Sequence, residues 1–164
     1  MLNNASLLAL LMLAGQPAAG GPPRYGAHQC GVSVASPHPL TLTSRTMASR
    51  PATLHSYDGK ADGTEYRLFC VSDVLVEGPS DDLFATYREG FLDHDPRRLI
   101  AERPLTLGDL VGREIHAGTP GGEQSRVRVY IVPAKVFGVI VTGREPAVTS
   151  EAATEFLNSL RVEP

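Results

Sequence analysis

Five histidines and a handful of acidic neighbours are the residues whose types and spacing could do chemistry in this chain. Glu114-x-His116 lies in a stretch that reads as a strand. Residues two apart on a strand share a face, so this carboxylate and imidazole could ligate one metal ion. No second pair at ligand spacing accompanies them, and two ligands do not fix a structural zinc. An exposed polar strand face is the better reading. His28-x-Cys30 has the same geometry and would compete with any disulfide made by Cys30. Asp93-His94-Asp95 resembles an acid–base cluster, but adjacent residues at a helix end point in different directions. A histidine suits the negative end of a helix and the two aspartates do not, so the run reads as a solvated terminus before Pro96. Asp58, Asp62 and Glu65 could offer oxygens to calcium, yet not in the residue order of an EF-hand loop.

A nucleophile is not evident. No Gly-x-Ser-x-Gly occurs, and no serine stands at a recognisable strand-to-helix elbow. Gly118-Thr119-Pro120-Gly121-Gly122 is glycine-rich but joins two strand-like runs, whereas a phosphate cradle needs a helix N-terminus behind it. No catalytic, metal-binding or cofactor-binding residue is assigned, and no cofactor is expected. In Arg126-Val127-Arg128-Val129-Tyr130-Ile131 the valines and isoleucine take one face and Arg126, Arg128 and Tyr130 the other. Left uncovered, that row would suit an anionic ligand or partner. Covered by a helix, its arginines would need partners such as Glu114 or Glu145.

The elements that must position these residues are read from periodicity. Strands are expected at Cys30 to Ala35, Leu40 to Thr43, Ala52 to Tyr57 and Thr64 to Val71, with turns at Ser36-Pro37-His38-Pro39 and from Asp58 to Gly63. Ser80 offers an N-cap with Asp81 and Asp82 in the first turn, and Leu83, Phe84, Tyr87 and Phe91 form one apolar helical face ending near Asp93. Further strands are expected at Leu99 to Leu107, Arg113 to Ala117, Gln124 to Val132 and Val136 to Thr142. A last helix begins near Thr149 or Ser150 and turns Ala153, Phe156, Leu157 and Leu160 inward. Cys30 and Cys70 lie on faces that could meet across neighbouring strands; they are either one disulfide or two inert buried thiols.

The first twenty residues carry no charge, and their apolar run from Ala5 to Ala14 is too short for a bilayer span of about 20 residues. Gly15, Pro17 and small residues follow, the form of a signal peptide, although no Lys or Arg precedes the run. The expected organisation is therefore a signal peptide at 1–20, a flexible lead-in at 21–27 and a single α+β domain at 28–164, with no transmembrane span in the mature chain. Over 164 residues the net charge is −3, and all the basic residues except Lys60 and Lys135 are scattered arginines. A nucleic-acid footprint needs a dense basic face, so that class of partner is excluded.

The succession of strand, Pro-rich turn, meander, acidic-capped helix, long meander and terminal helix resembles the PsbP-like fold class. The stretch from Leu110 to Leu160 carries the likeness best, in LVGREIHAG, RVRVYIV, FGVIVTG and SEAATEFLNSL. The resemblance implies an α+β fold, an antiparallel sheet of about six to eight strands flanked by two helices, and a binding or accessory role. It carries over no catalytic residue and no photosystem function. The expectation is an exported, periplasmic or extracellular, non-enzymatic domain whose partner is an unknown protein or small molecule and whose oligomeric state is open. The alternatives are a small extracytoplasmic hydrolase using His94, Asp95 or His116, and a carrier holding an apolar molecule between sheet and helices.

Overall fold

A computed structural model describes residues 21–47, 51–93 and 96–164. In chain order the elements are β1 (Arg24–Ala27), β2 (Val32–Ala35), β3 (Thr41–Thr46), β4 (Thr53–Ala61), β5 (Thr64–Ser72), α1 (Asp81–Asp93), β6 (Arg98–Leu107), β7 (Leu110–Gly118), β8 (Glu123–Val132), β9 (Lys135–Arg144), α2 (Glu151–Asn158) and β10 (Arg161–Val162). A 3-10 turn, Ala147–Thr149, leads into α2. The strands form two antiparallel sheets, one of seven strands in the order β3-β4-β5-β9-β8-β7-β6 and one of three in the order β1-β2-β10.

This corrects the expected fold class. Strands take 53% of the structure and helix 17%, so the protein is mainly β, with two sheets where one sheet flanked by two helices was expected. The difference lies in the short strands. Residues 24–27, read as a lead-in, pair with β2 and bury Ala27, and the two residues of β10 pair with Ser33 and Val32. Strands of four and two residues are held by backbone hydrogen bonds and are too short to show a side-chain period.

Alternation along the long strands gives the seven-stranded sheet two different faces. Leu68 and Cys70 on β5 and Phe137, Val139 and Val141 on β9 lie on one face, beneath Val32 and Val34 of the small sheet and Phe156 and Leu157 of α2. Phe69, Ile115, Val127, Val129 and Ile131 lie on the other, beneath Phe84 of α1. The Cys30–Cys70 disulfide ties the turn before β2 to β5 and so joins the two sheets.

Local chemistry sets the element ends. The Ser80 hydroxyl accepts the Leu83 N–H at 3.2 Å at the start of α1, and the Ser150 hydroxyl accepts the Ala153 N–H at 3.2 Å at the start of α2. Strand β4 continues through Asp58 and Lys60, which had been read as turn. The reversal uses only Asp62 and Gly63, at φ 49° and 78°, the left-handed pair that a two-residue hairpin requires. In β9, Gly138 is required because a Cβ there would collide with the carbonyl oxygen of Arg128. No helix among the described residues is long and apolar enough to cross a membrane.

Candidate functional site

The Arg126, Arg128 and Tyr130 row lies on the face that α2 and the small sheet cover. Tyr130 is buried against Phe137, with ring centroids 5.5 Å apart. The Arg126 and Arg128 side chains are 12% and 14% exposed and share Glu114, itself 8% exposed. Arg128 donates from Nε to Glu114 Oε2 at 2.6 Å and from Nη1 to the Leu157 carbonyl at 3.1 Å and Asn158 Oδ1 at 2.7 Å. Arg126 donates from Nη2 to Glu114 Oε1 at 3.3 Å and from Nη1 to the Val148 carbonyl at 3.2 Å. Arg103, from the edge strand β6, adds a third guanidinium at 3.0 Å from Glu114 Oε1. Burial by itself would raise the Glu114 pKa. The Arg128 hydrogen bond and the charges of Arg128, Arg126 and Arg103 overcome this and hold the carboxyl below its ordinary value. The guanidiniums cap carbonyls at the end of α2 and in the 3-10 turn, so the cluster is a clamp that fastens α2 to the sheet, not an open cationic surface.

Several of the other described candidates are also engaged by structural partners. His116 Nε2 donates to Gln124 Oε1 at 2.7 Å, and Gln124 Nε2 donates to Glu145 Oε2 at 2.9 Å. His116 and Glu114 therefore do not converge on a shared ligand. His94 and Asp95, named for the hydrolase alternative, lie outside the described residues. Cys30 is in the disulfide, which removes it from the His28-x-Cys30 pair. Asp58 pairs with Arg67, and Glu65 accepts from Lys60 Nζ at 3.2 Å, so neither is a free calcium ligand. No group of three or more His, Cys, Asp or Glu side chains among the described residues could hold a metal ion.

Two kinds of concavity remain on the α1 side of the large sheet. Beside β3, a polar hollow of about 480 Å³ is lined by Thr41, Asp58, Lys60, Glu65 and Arg67. Its charges are matched by the two ion pairs just given, and Ser56 donates to Asp58 Oδ2 at 2.6 Å, so its polar groups already satisfy one another. Near the start of α1 a second hollow, of about 490 Å³, is mainly apolar. Ile131 and Val136 form its floor, Leu83, Thr86 and Tyr87 its helical wall, and Val74, Leu75 and Val76 its opposite wall. An apolar cavity of several hundred Å³ with a few polar groups at its margin is the usual form of a ligand site.

The wall made by residues 74–76 is built locally. The Val74 N–H donates to the Ala134 carbonyl at 3.2 Å, and the Ala134 N–H donates back to the Val76 carbonyl at 3.0 Å. The Val76 N–H closes a tight turn onto the Val74 carbonyl at 3.0 Å. Leu75 sits at the apex of this pinned turn with 95% of its surface exposed. Tyr87 lies between the rings of Phe69 and Phe91, at 6.3 and 6.5 Å, and burial pushes its hydroxyl pKa upward against a smaller opposing effect of Arg67. With Thr86 it is therefore a neutral polar group in the helical wall of a mainly apolar hollow. Sequence reading missed this cleft. The available signal was Val74-Leu75-Val76, an apolar run between a strand and a helix where a polar loop is the norm. No family model matches the chain, and no curated protein is similar to it in sequence.

Proposed function

We propose that the chain is an exported, non-enzymatic binding domain that receives an apolar group of its partner in the cleft between α1, the 74–76 turn and the sheet. The observation that carries this reading is the cleft itself, an apolar hollow of about 490 Å³ with a leucine 95% exposed on its rim. A contiguous apolar surface held open by a rigid backbone favours binding, because little ordering cost remains at association. The Cys30–Cys70 disulfide supports an oxidising location, the compartment in which such bonds persist. The uncharged N-terminal segment supports export, with residues 1–20 as the part removed.

The test is titration of the purified, disulfide-intact protein with N-phenyl-1-naphthylamine, a neutral dye that fluoresces when it leaves water. Saturable binding at one site is expected, abolished by Val76→Asp and retained in Thr43→Asp, which alters only the polar strand β3. Binding that is absent, or indifferent to Val76→Asp while thermal unfolding is unchanged, overturns the reading. The export element is tested by the N-terminal residue of the chain recovered outside the cytoplasm. A chain found there still beginning at Met1 would contradict removal of the leader.

A further inference from the structure

Among the described residues, the charged side chains beside the cleft that lack an ion-pair partner are acidic, and that restricts what can enter. Asp73, Glu77, Asp81 and Asp82 lie on the 73–79 loop and the first turn of α1, and all four are exposed. Asp81 is engaged by Arg113, whose Nη2 donates to Oδ1 at 2.6 Å and whose guanidinium also lies 4.9 Å above the Phe84 ring. Asp73 accepts from its neighbour Ser72 at 2.9 Å, and among the described residues no ion pair engages Asp73, Glu77 or Asp82. Lys135 precedes Val136 of the cleft floor, so strand alternation directs it to the opposite face of the sheet. An apolar hollow lined in part by Asp73 thus lies next to Glu77, which follows Val76, and Asp82, which precedes Leu83, three carboxylates that no described cation engages.

Resting on the cleft reading above, we infer that the partner is a polypeptide segment presenting an apolar side chain flanked by Lys or Arg. Three competing occupants are disfavoured on this geometry. A second copy of the chain would set one acidic rim against another, a like-charge contact that works against association. An anionic lipid surface would be repelled in the same way. A small uncharged apolar molecule could fill the hollow but would meet only the inner side of Leu75, which is 95% exposed, and would bring no cation to the neighbouring carboxylates. A peptide can lay one side chain into the hollow, cover Leu75 with the next and bring its cations to Asp73, Glu77 and Asp82. The pinned turn holds Leu75 in position before the partner arrives, so its burial is not offset by the cost of ordering the loop.

The test uses two dye-labelled synthetic peptides with the same Leu-Leu-Val centre, one flanked on each side by two lysines and the other by two glutamates. Their binding to the purified protein is read by fluorescence anisotropy. The lysine-flanked peptide is expected to bind at least about tenfold more tightly, and the advantage to shrink as salt rises from about 0.05 to about 0.5 M, because exposed charges are screened. The combined variant Glu77→Gln and Asp82→Asn, at two positions outside the lining of the hollow, should erase most of that advantage while leaving dye binding in the cleft unchanged. Leu75→Ala should weaken the lysine-flanked peptide by about tenfold, the loss of most of one buried side chain. Equal affinity for the two peptides, with dye binding intact, overturns the charge inference and leaves the cleft reading standing. Dye binding without binding of either peptide overturns the polypeptide inference alone. Binding of neither dye nor peptide overturns both readings. Stronger attachment to anionic vesicles than to the lysine-flanked peptide, or a dimer that Leu75→Ala abolishes, also overturns the inferred partner.

Discussion

Replacing Glu114 by Gln isolates the charge on which the α2 clamp depends. The side chain keeps its length and one carbonyl oxygen, so packing is preserved while the negative charge is lost. Three guanidiniums converge on that carboxylate. Arg103 is 64% exposed, and solvent screening reduces its contribution to the few tenths of a kcal/mol typical of surface pairs, about 0.2–1 kcal/mol. Arg126 and Arg128 are nearly covered and would be left as like charges without a counterion, held under a helix by their bonds to carbonyl oxygens. Breaking a buried pair in this way costs about 3–5 kcal/mol, and the lower end applies because the Leu157 carbonyl of α2 still accepts from Arg128 and the Val148 carbonyl of the 3-10 turn from Arg126. Glu114→Gln is therefore expected to destabilise the protein by about 3 kcal/mol, measured by urea unfolding at neutral pH with the disulfide intact, and Arg103→Ala by less than about 1 kcal/mol. The pH dependence supplies a second reading. The folded-state pKa of Glu114 is lowered from the ordinary 4.5, so its stabilisation is fully present above 4.5 and is lost as pH falls through the depressed folded value. The gap between wild type and Glu114→Gln should be flat above that window and close within it. A cost below about 1 kcal/mol, or a gap that ignores pH, would refute the clamp.

The other predictions concern parts of the fold that can be perturbed separately. The Cys30–Cys70 bond closes a separation of 40 residues, so its removal by Cys30→Ala with Cys70→Ala should lower stability by about 4 kcal/mol in the chain-entropy treatment, checked by urea unfolding. Gly138→Ala should cost at least about 2 kcal/mol, because its methyl meets the backbone carbonyl of Arg128, which can yield only if β8 and β9 separate. Ser150→Ala removes the hydroxyl that accepts the Ala153 N–H and should cost about 1 kcal/mol in thermal unfolding. Leu75→Ala, at an exposed apex, should leave unfolding within about 0.5 kcal/mol of wild type, which separates its binding effect from stability.

Where side-chain pattern and backbone structure coincide, the sequence was legible. The β8–β9 hairpin follows from strict alternation in Arg126 to Ile131 and Phe137 to Val141, and the structure pairs Val127 with Ile140 and Val129 with Gly138. Helix α1 follows from Ser80, the acidic first turn and the spacing of Leu83, Phe84, Tyr87 and Phe91. The small sheet was not legible, because β10 joins β2 across almost the whole chain through backbone bonds that leave no periodic trace. The arginine row was seen as a row, and Glu114 as its partner should a helix cover it. What alternation could not supply was which face α2 would take, since Val127 and Arg128 each lie against a helix. The cleft was hidden for a related reason. Its floor, helical wall and pinned turn come from three separate stretches, and the turn is defined by two hydrogen bonds to Ala134 that no residue type announces.

The position of the cleft follows from how unequally the two faces of the large sheet are closed. One face is covered by a second sheet and α2, fastened by the disulfide and the Glu114 clamp, and no open apolar surface is needed there. Among the described residues, the other is covered by one helix, α1, with the 73–79 loop beside it. A helix of 13 residues is about 20 Å long and about 10 Å wide, whereas seven strands at about 4.8 Å spacing span about 29 Å between the outer strand axes. One helix cannot cover that width. On the β3 side the uncovered strands carry Thr41, Thr43, Ser56, Asp58 and Arg67, polar residues that tolerate water and pair among themselves. At the start of α1 the hollow is floored by buried Ile131 and half-buried Val136, and the loop beside them adds Val74, Leu75 and Val76, of which Leu75 is 95% exposed. The same helix that leaves one margin wet leaves the other apolar. That contrast, more than the volume of either hollow, is the ground on which the proposed binding role rests with the cleft and not with the polar strands.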